Sequence, residues 1–292
     1  MSDPPSMQIY IVFHKEIFDE CYETIPADLL QKYFTFVAVN PSIPKIFDAT
    51  KYKVINEWEL PVYDPTFQER GYNENSVIHH VYANNLHKNY DFVGFFQYDM
   101  QFLNTQNTDN NTNIMDIIIT TMQIHETNNK AFNRQYGMCF GYAFFTFQNA
   151  MLTTFNTNGY NNDVVTNFIL ADYKEYYGKP FDFAKKPLAD IYPMYNAYIL
   201  SSSMFEDIMG WVSQLYVKLY PWCIETPYPT HFGHIGGVFE RVMCLVIGSH
   251  ENTTFFNLNP FIKDRSDLKT KCYPSSGITP DDDSIPVLNI DV

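Results

Sequence analysis

The chain has 292 residues, of which 46% are hydrophobic and 17% aromatic, and a formal net charge of −14. A chain of this length can bury a sizeable core without disulfides, and five cysteines with no Cys-x-x-Cys spacing argue against a disulfide framework or a zinc knuckle. Lysine and arginine form no cluster, so we expect no nucleic acid among its partners.

The amino-terminal segment lacks the basic region of a signal peptide, and no apolar run reaches the roughly 18 residues of a membrane helix. We therefore expect a soluble, cytoplasmic protein without a transmembrane segment.

The first hundred residues alternate strand and helix patterns. Apolar runs at residues 8–13 and 34–39 predict two strands, and residues 53–58 predict a third, short one. Residues 73–87 carry a helical apolar face. The run 92–96 is apolar on both faces, which is typical of a strand buried in a parallel sheet. This alternation predicts an α/β domain whose parallel sheet is covered by helices.

The second half is predicted to contain further helices and strands. The helices are residues 114–125, one capped by Asp163, one opened by a capping box from Ser203 to Glu206, and residues 236–247. The strands are residues 138–147 and an extended segment at 192–200. Because the chain becomes polar after Pro260, we divide it into a domain at 1–259 and an extension at 260–292.

Polar side chains follow the predicted strands where each strand ends. Asp99 follows the apolar run at residues 92–96. It thus comes at the carboxyl end of a predicted strand, where open α/β sheets bind ligands. On this segment alone, a turn residue after an edge strand is an equally good interpretation. His14 and Lys15 follow the first strand. Lys15 could neutralise a phosphate, although a solvated lysine is the commoner case.

A second candidate region is the segment HFGHIGGVFER. Gly236 and Gly237 precede a predicted helix, where small residues and free N–H groups suit a bound anion or sugar hydroxyl. Glu240 is expected in the first turn, facing the same space, or it simply favours the helix dipole. His231 and His234 are candidate ligands for a metal, or ordinary hydrogen-bonded histidines.

Common catalytic motifs are absent from the sequence. It contains no G-x-G-x-x-G after a strand, no Walker loop, no G-x-S-x-G and no H-E-x-x-H. An acid at a strand end and a second acid near a late helix leave nucleotide-sugar transfer as the remaining α/β option.

Four segments, in the same order, resemble a known family. They are IYIVFHKE, ENSVIHHVYANNLHKNYDFVGFFQYDMQF, NAYILSSSMFEDIMGWVSQLYVKLYP and HIGGVFERVMCLVI, within residues 8–250. They are similar to the glycosyltransferase-like domain of bacterial capsular and surface polysaccharide clusters, which has relatives in large DNA viruses. The resemblance implies a single GT-A-like (Rossmann-like) domain with a mixed, mainly parallel central sheet flanked by helices.

The resemblance also implies an activity, a nucleotide-sugar-dependent glycosyltransferase that acts on a glycan acceptor. UDP-sugars are the favoured donors, and a viral source would place the enzyme in the host cytoplasm. The expected donor-binding residues are Phe13, His14, Lys15, Asn40, Tyr98, Asp99, Gly236 and Gly237. Asp99, with His231 and His234, would hold Mn²⁺ or Mg²⁺. Glu240 would be the catalytic base of an inverting enzyme or would orient the acceptor in a retaining one. Aromatic residues at Tyr195, Tyr198 and Trp222 would stack on sugars or pack in the core.

One departure from the family bears on this expectation. The family usually has His-Tyr-Arg-Arg at the strand end, whereas this chain has Gln97-Tyr98-Asp99-Met100. Asp99 and a metal would then supply the charge that arginines supply in the relatives. Two rival interpretations stay open, a catalytically silent sugar- or nucleotide-binding protein on the same fold, and a structural or interaction protein.

Overall fold

The computed structural model describes residues 6–98, 114–132, 135–141, 162–181, 196–220, 235–249 and 253–257. Within these ranges the protein is a single α/β domain built on a seven-stranded sheet. The strands are β1 (Met7–Phe13), β2 (Phe34–Ala38), β3 (Val54–Asn56), β4 (Phe92–Gln97), β5 (Gly137–Gly141), β6 (Tyr198–Ser201) and β7 (Thr253–Asn257). The described helices are α1 (Ala27–Tyr33), α2 (Pro65–Glu69), α3 (Glu74–Ala83), α4 (Ile114–Phe132), α5 (Asn162–Tyr177), α6 (Ser202–Lys218) and α7 (Ile235–Ser249).

The sheet is mixed and mainly parallel. Its strand order is β3-β2-β1-β4-β6-β5-β7. β6 runs antiparallel to both of its neighbours, β4 and β5, and the other pairs are parallel. This confirms the expected fold class.

Both faces of the sheet are buried, so every residue of β1 and β2 is buried. Alternate residues of β1 enter different cores because side chains along a strand point to opposite faces. Tyr10 and Val12 pack in a cluster with apolar residues of α3, α6 and α7. Ile9 and Ile11 pack in a second cluster with residues of α1 and α4. This arrangement explains why the central strands are continuous apolar runs.

The predicted strands in the first hundred residues are confirmed, with changes at their ends. β3 is shorter than predicted because Glu57 begins a 3-10 turn at Glu57–Glu59. The Glu57 carboxylate is buried and accepts hydrogen bonds from Ser76 Oγ (2.6 Å) and His80 Nδ1 (2.8 Å). His80 Nε2 in turn accepts from the Asp64 backbone N–H (3.0 Å). The network ties the end of β3 to α2 and α3.

The predicted capping box at the start of α6 is wrong. Ser201, the last residue of β6, is the N-cap, and its Oγ accepts from the Met204 N–H (3.3 Å). Glu206 instead pairs with His87 and with Lys88 Nζ (3.3 Å). The strand continues directly into the helix, so the helix begins earlier than the sequence pattern indicated.

The remaining differences concern the carboxyl-terminal half. Asp163 lies inside α5 rather than at its cap, and α4 extends past the predicted residue 125. Strand β7 was not predicted. Predicted strand residues 142–147 and extension 260–292 lie outside the described residues.

Candidate functional site

The chain reverses direction across the sheet between β1 and β4. It passes from β1 outward through β2 to β3, then returns to the other side of β1 as β4. In open α/β sheets, the crevice outside the carboxyl ends of strands at such a switch point is where ligands bind. His14 follows β1, Asn40 follows β2, and Tyr98 follows β4. The predicted donor-binding residues of these strands therefore meet at one edge.

His14 and Asn40 contact each other at this edge. The Asn40 Nδ2 amide donates to His14 Nδ1 (2.8 Å), which leaves the ring proton on Nε2. Asn40 has a positive φ of 60°, a conformation that asparagine tolerates better than most residues. The side chain of Phe13, another predicted donor-binding residue, is fully buried, and its carbonyl accepts from the Val39 N–H (3.1 Å). Phe13 therefore belongs to the core on one face of the sheet.

Tyr98 is held on three sides. Its carbonyl accepts from the Tyr22 hydroxyl (3.0 Å). Its ring makes edge contact with His14, at 6.2 Å between centroids, and packs against Phe18 at 5.6 Å. The backbone that leads to Asp99 is therefore fixed up to Tyr98. Asp99 itself lies outside the described residues.

Two lysines lie near the ends of β1 and β2. The Lys15 carbonyl accepts from the Ile46 N–H (2.8 Å), so the segments after both strands stay side by side. Lys45 Nζ donates to the carbonyls of Asn40 (2.8 Å) and Ile43 (2.7 Å) and lies over the Trp58 ring. Burial lowers the pKa of Lys45 to about 8. No ion pair joins Lys45 to a carboxylate of the described residues.

Sequence reasoning missed Lys45. It follows Pro44 in the loop after β2 rather than lying directly at a strand end, and the only available signal was its closeness to Asn40 along the chain.

Helix α7 begins at the same edge. Helix α3 leads into β4, so α3 starts where the parallel strands end. Gly236 of α7 lies against the turn before α3, and its N–H donates to the Gly71 carbonyl (3.1 Å). A Cβ at Gly236 would be 2.9 Å from the carbonyl oxygens of Gly71 and Tyr72. This glycine therefore allows two backbones to approach closely, and its amide is not available to an anion as expected.

Glu240 lies in the second turn of α7 and not in the first, as expected, because the helix already begins at Ile235. Its side chain is 12% exposed, and Oε1 lies 3.1 Å from Arg241 Nη1. Burial raises the pKa of the Tyr198 hydroxyl in β6, and Tyr216 and Cys244, which lies one turn beyond Glu240 on α7, raise it further. Because α7 begins at the carboxyl edge, Glu240 lies nearer to this edge than Cys244 by about 6 Å of helical rise.

Of the two roles considered for Tyr198, sugar stacking and core packing, the structure shows core packing. The ring is fully buried, 5.6 Å from the ring of Phe95 in the core. Tyr195 and Trp222 lie outside the described residues, and Gly237 is half-buried in the first turn of α7.

A metal centre is not visible in the described part of the chain, where no three His, Cys, Asp or Glu residues cluster. The predicted ligands Asp99, His231 and His234 lie outside that part, so the metal stays a prediction. None of the helices in the described ranges combines the length and apolar character that crossing a membrane requires.

Comparison with known proteins identifies the fold. The apo structure of the bifunctional glycosyltransferase WbbM matches with a TM-score of 0.53 and 15% identity. The match covers 87% of this chain but 46% of WbbM, so the chain spans less than half of that protein.

Two further structures match at lower TM-scores. CMP:2-keto-3-deoxy-manno-octonic acid synthetase with CTP has 11% identity and a TM-score of 0.39, over 91% of this chain and 96% of the other. Mouse xyloside xylosyltransferase 1, apo form, has 14% identity and a TM-score of 0.32, over 87% and 85%. No family model matches the sequence, and no curated protein matches it. The likeness to WbbM shows a fold of GT-A type.

Proposed function

We propose that the protein transfers a sugar from a nucleoside-diphosphate sugar, with UDP-sugars favoured, to a hydroxyl of a glycan acceptor. The observation that carries the proposal is the meeting of His14, Asn40 and Tyr98 at the β1/β4 switch point. Ligand crevices of open α/β sheets lie at such points. The resemblance to the capsular polysaccharide and viral family also supports the proposed sugar transfer. The enzyme would act in the cytoplasm.

The nucleotide would lie over the ends of β1 and β2, against His14, Lys15 and Asn40. Lys45 adds a positive charge there, since two of its three N–H groups are used by carbonyls and one is left for a phosphate oxygen. Asp99 would hold Mn²⁺ or Mg²⁺, which when bound neutralises charge on the departing diphosphate.

Glu240 would act on the acceptor. In an inverting enzyme it would accept the proton of the attacking hydroxyl, and in a retaining enzyme it would orient that hydroxyl. Arg241, 3.1 Å away, provides a compensating positive charge for the carboxylate.

A thermal-shift screen tests the donor. We expect UDP-sugars, but not GDP-, CMP- or dTDP-sugars, to raise the melting temperature, because a ligand that binds the native state stabilises it. The shift should require Mn²⁺ and should disappear in Asp99→Ala. The matched control is Asp116→Ala, which removes an exposed aspartate on α4 and should keep the shift. Binding without metal would remove the role given to Asp99, and no shift with any nucleotide would contradict the proposed function.

Glu240→Gln tests the chemistry. We expect the variant to keep the thermal shift with the donor but to lose about 10²- to 10⁴-fold in transfer rate, the usual contribution of general base catalysis. Full activity in the variant would exclude the base assignment. A wild type that binds a donor and turns over none would instead identify a silent binding protein.

A further inference from the structure

Asn196 is a buried amide without a hydrogen-bonding partner. The residue is 3% exposed, and neither Nδ2 nor Oδ1 forms a hydrogen bond with a described residue. The large majority of buried polar side-chain atoms in proteins are paired, because leaving one unpaired costs its full desolvation free energy. An unpaired donor and an unpaired acceptor on the same side chain therefore require an explanation.

Turn formation does not explain it. The described residues contain four asparagines with positive φ: Asn40, Asn73, Asn85 and Asn196. The other three reach solvent, and Asn196 is the buried one. Its φ of 53° could equally be adopted by glycine, which would carry no polar group into the interior. The backbone conformation thus accounts for glycine or asparagine at this position, but it does not account for an unpaired carboxamide in the interior.

The register of β6 places Asn196 at the carboxyl edge. Tyr198 pairs with Phe95 of β4 on one side and with Cys139 of β5 on the other. Continuing both antiparallel ladders by two residues brings Asn196 opposite Gln97 and Gly141, the last residues of β4 and β5. The Phe140 N–H donates to the Ala197 carbonyl (3.0 Å), so the second ladder does continue toward Asn196.

Asn196 lies across β4 from the proposed nucleotide-binding residues His14 and Asn40. Neighbouring strands lie about 4.8 Å apart, so β6 is about 10 Å from β1 across β4. His14 and Asn40 lie on one side of β4 and Asn196 on the other. A nucleotide at the ends of β1 and β2 would extend its diphosphate over β4 and its sugar toward β6.

We propose that the Asn196 carboxamide binds the transferred sugar of the donor. Sugar hydroxyls both donate and accept hydrogen bonds, so Nδ2 and Oδ1 would both be satisfied by one ring. Asn196 is then a specificity-determining residue that is left unpaired until the donor binds. The inference rests on the proposed function. It adds that Asn196 contacts the sugar of the donor.

The test compares Asn196→Gly with wild type. Glycine keeps the positive φ and removes the unpaired amide, so the variant should unfold at the same or a higher temperature. Calorimetric titration should give an unchanged Kd for UDP. For the UDP-sugar that stabilises wild type most, among the glucose, galactose, xylose and N-acetylglucosamine donors, the Kd should rise roughly 10- to 100-fold, as for one or two lost hydrogen bonds.

Asn85→Gly is the matched control, since Asn85 has a φ of 55° and lies exposed at the opposite edge of the sheet, before β4. It should leave both Kd values unchanged. A clear loss of stability in Asn196→Gly would show that the amide supports the fold and would overturn the inference. So would a UDP-sugar Kd equal to that of wild type. If wild type binds no UDP-sugar, the proposed function fails first, and the inference falls with it.

Discussion

Burial of a polar side chain needs a different explanation when the side chain has a hydrogen-bonding partner and when it has none. Glu57, Ser76 and His80 form a paired network that joins β3 to α3, so their burial is explained by the fold. Asn196 and His79 carry buried polar atoms without a partner in the described residues. Such atoms lower stability unless a ligand satisfies them. The distinction cannot be made from sequence, because Asn and His are common in both settings.

His79 predicts a pH dependence of stability. Burial, and secondarily the neighbouring His80, lower the pKa of His79 to about 4. The unfolded state then binds more protons below pH 6.5, so the free energy of unfolding falls as pH decreases from about 6.5 to about 4. The loss is at most about 3 kcal/mol. His79→Phe keeps the ring against Phe67, at 4.4 Å between centroids, and does not titrate.

Urea unfolding at pH 7.5, 5.5 and 4.5 checks this prediction. The wild type should lose more stability toward pH 4.5 than His79→Phe, while the two differ by less than about 1 kcal/mol at pH 7.5, as for a conservative swap. Parallel curves for the two proteins would show that His79 does not titrate in this range.

The sequence pointed to candidate residues where they directly follow strands. His14, Asn40 and Tyr98 could be found because the end of an apolar run is visible in one dimension. Asn196 and Lys45 could not, since their positions depend on the pairing of β6 with β4 and on the path of the loop after β2. These are contacts between residues distant in the chain, or loop geometry without a periodic signal.

At the scale of elements, the sequence predicted the central strands and missed the edge strand β7. Strands β1, β2 and β4 are buried on both faces, which produces continuous apolar runs. Strand β7 has no such pattern, and its assignment depends on pairing with β5, more than a hundred residues earlier. The start of α6 was misplaced for a similar reason, because Glu206 is engaged by His87 rather than by the helix start.

Packing of α7 against the turn before α3 predicts that Gly236→Ala is destabilising. The new Cβ would lie 2.9 Å from two backbone carbonyl oxygens, so the helix must move away. The move weakens the bonds of Gly236 with Gly71 (3.1 Å) and with Asn75 Nδ2 (2.9 Å). We expect a loss of about 1–3 kcal/mol in the free energy of unfolding, as for overpacked cores.

Gly210→Ala is the control for this variant. Its Cβ would meet the Tyr176 hydroxyl at 2.7 Å, the far end of an exposed side chain that can turn away. Alanine also favours the helix interior by about 1 kcal/mol over glycine. Urea unfolding should therefore show equal or higher stability for Gly210→Ala. A Gly236→Ala protein as stable as this control would contradict the close packing.

At the scale of the whole molecule, the strand order explains why the candidate residues lie together at the carboxyl ends of the parallel strands. Parallel strands β1, β2 and β4 end there, and antiparallel β6 begins there, so Asn196 joins residues that otherwise follow strands. Helices α3 and α7 also start at this edge. The antiparallel strand is the feature that the alternating pattern of the first hundred residues could not predict, and it brings Asn196 to the end of the sheet where β1, β2 and β4 finish.

The position of β7 in the sheet predicts where the chain can be shortened. β7 pairs in parallel with the whole of β5, and Thr253 Oγ1 donates to the Ile247 carbonyl (2.9 Å) at the end of α7. A protein ending at residue 259 keeps this strand, whereas one ending at residue 250 loses it and leaves β5 at the edge. We expect the protein ending at 250 to be less stable by about 3–5 kcal/mol, since each net ladder hydrogen bond contributes about 1 kcal/mol. The protein ending at 259 should keep the urea midpoint and the donor-induced thermal shift of the full chain. If it unfolds as easily as the shorter protein, the extension at 260–292 is part of the domain, and the boundary predicted from its polar composition is wrong.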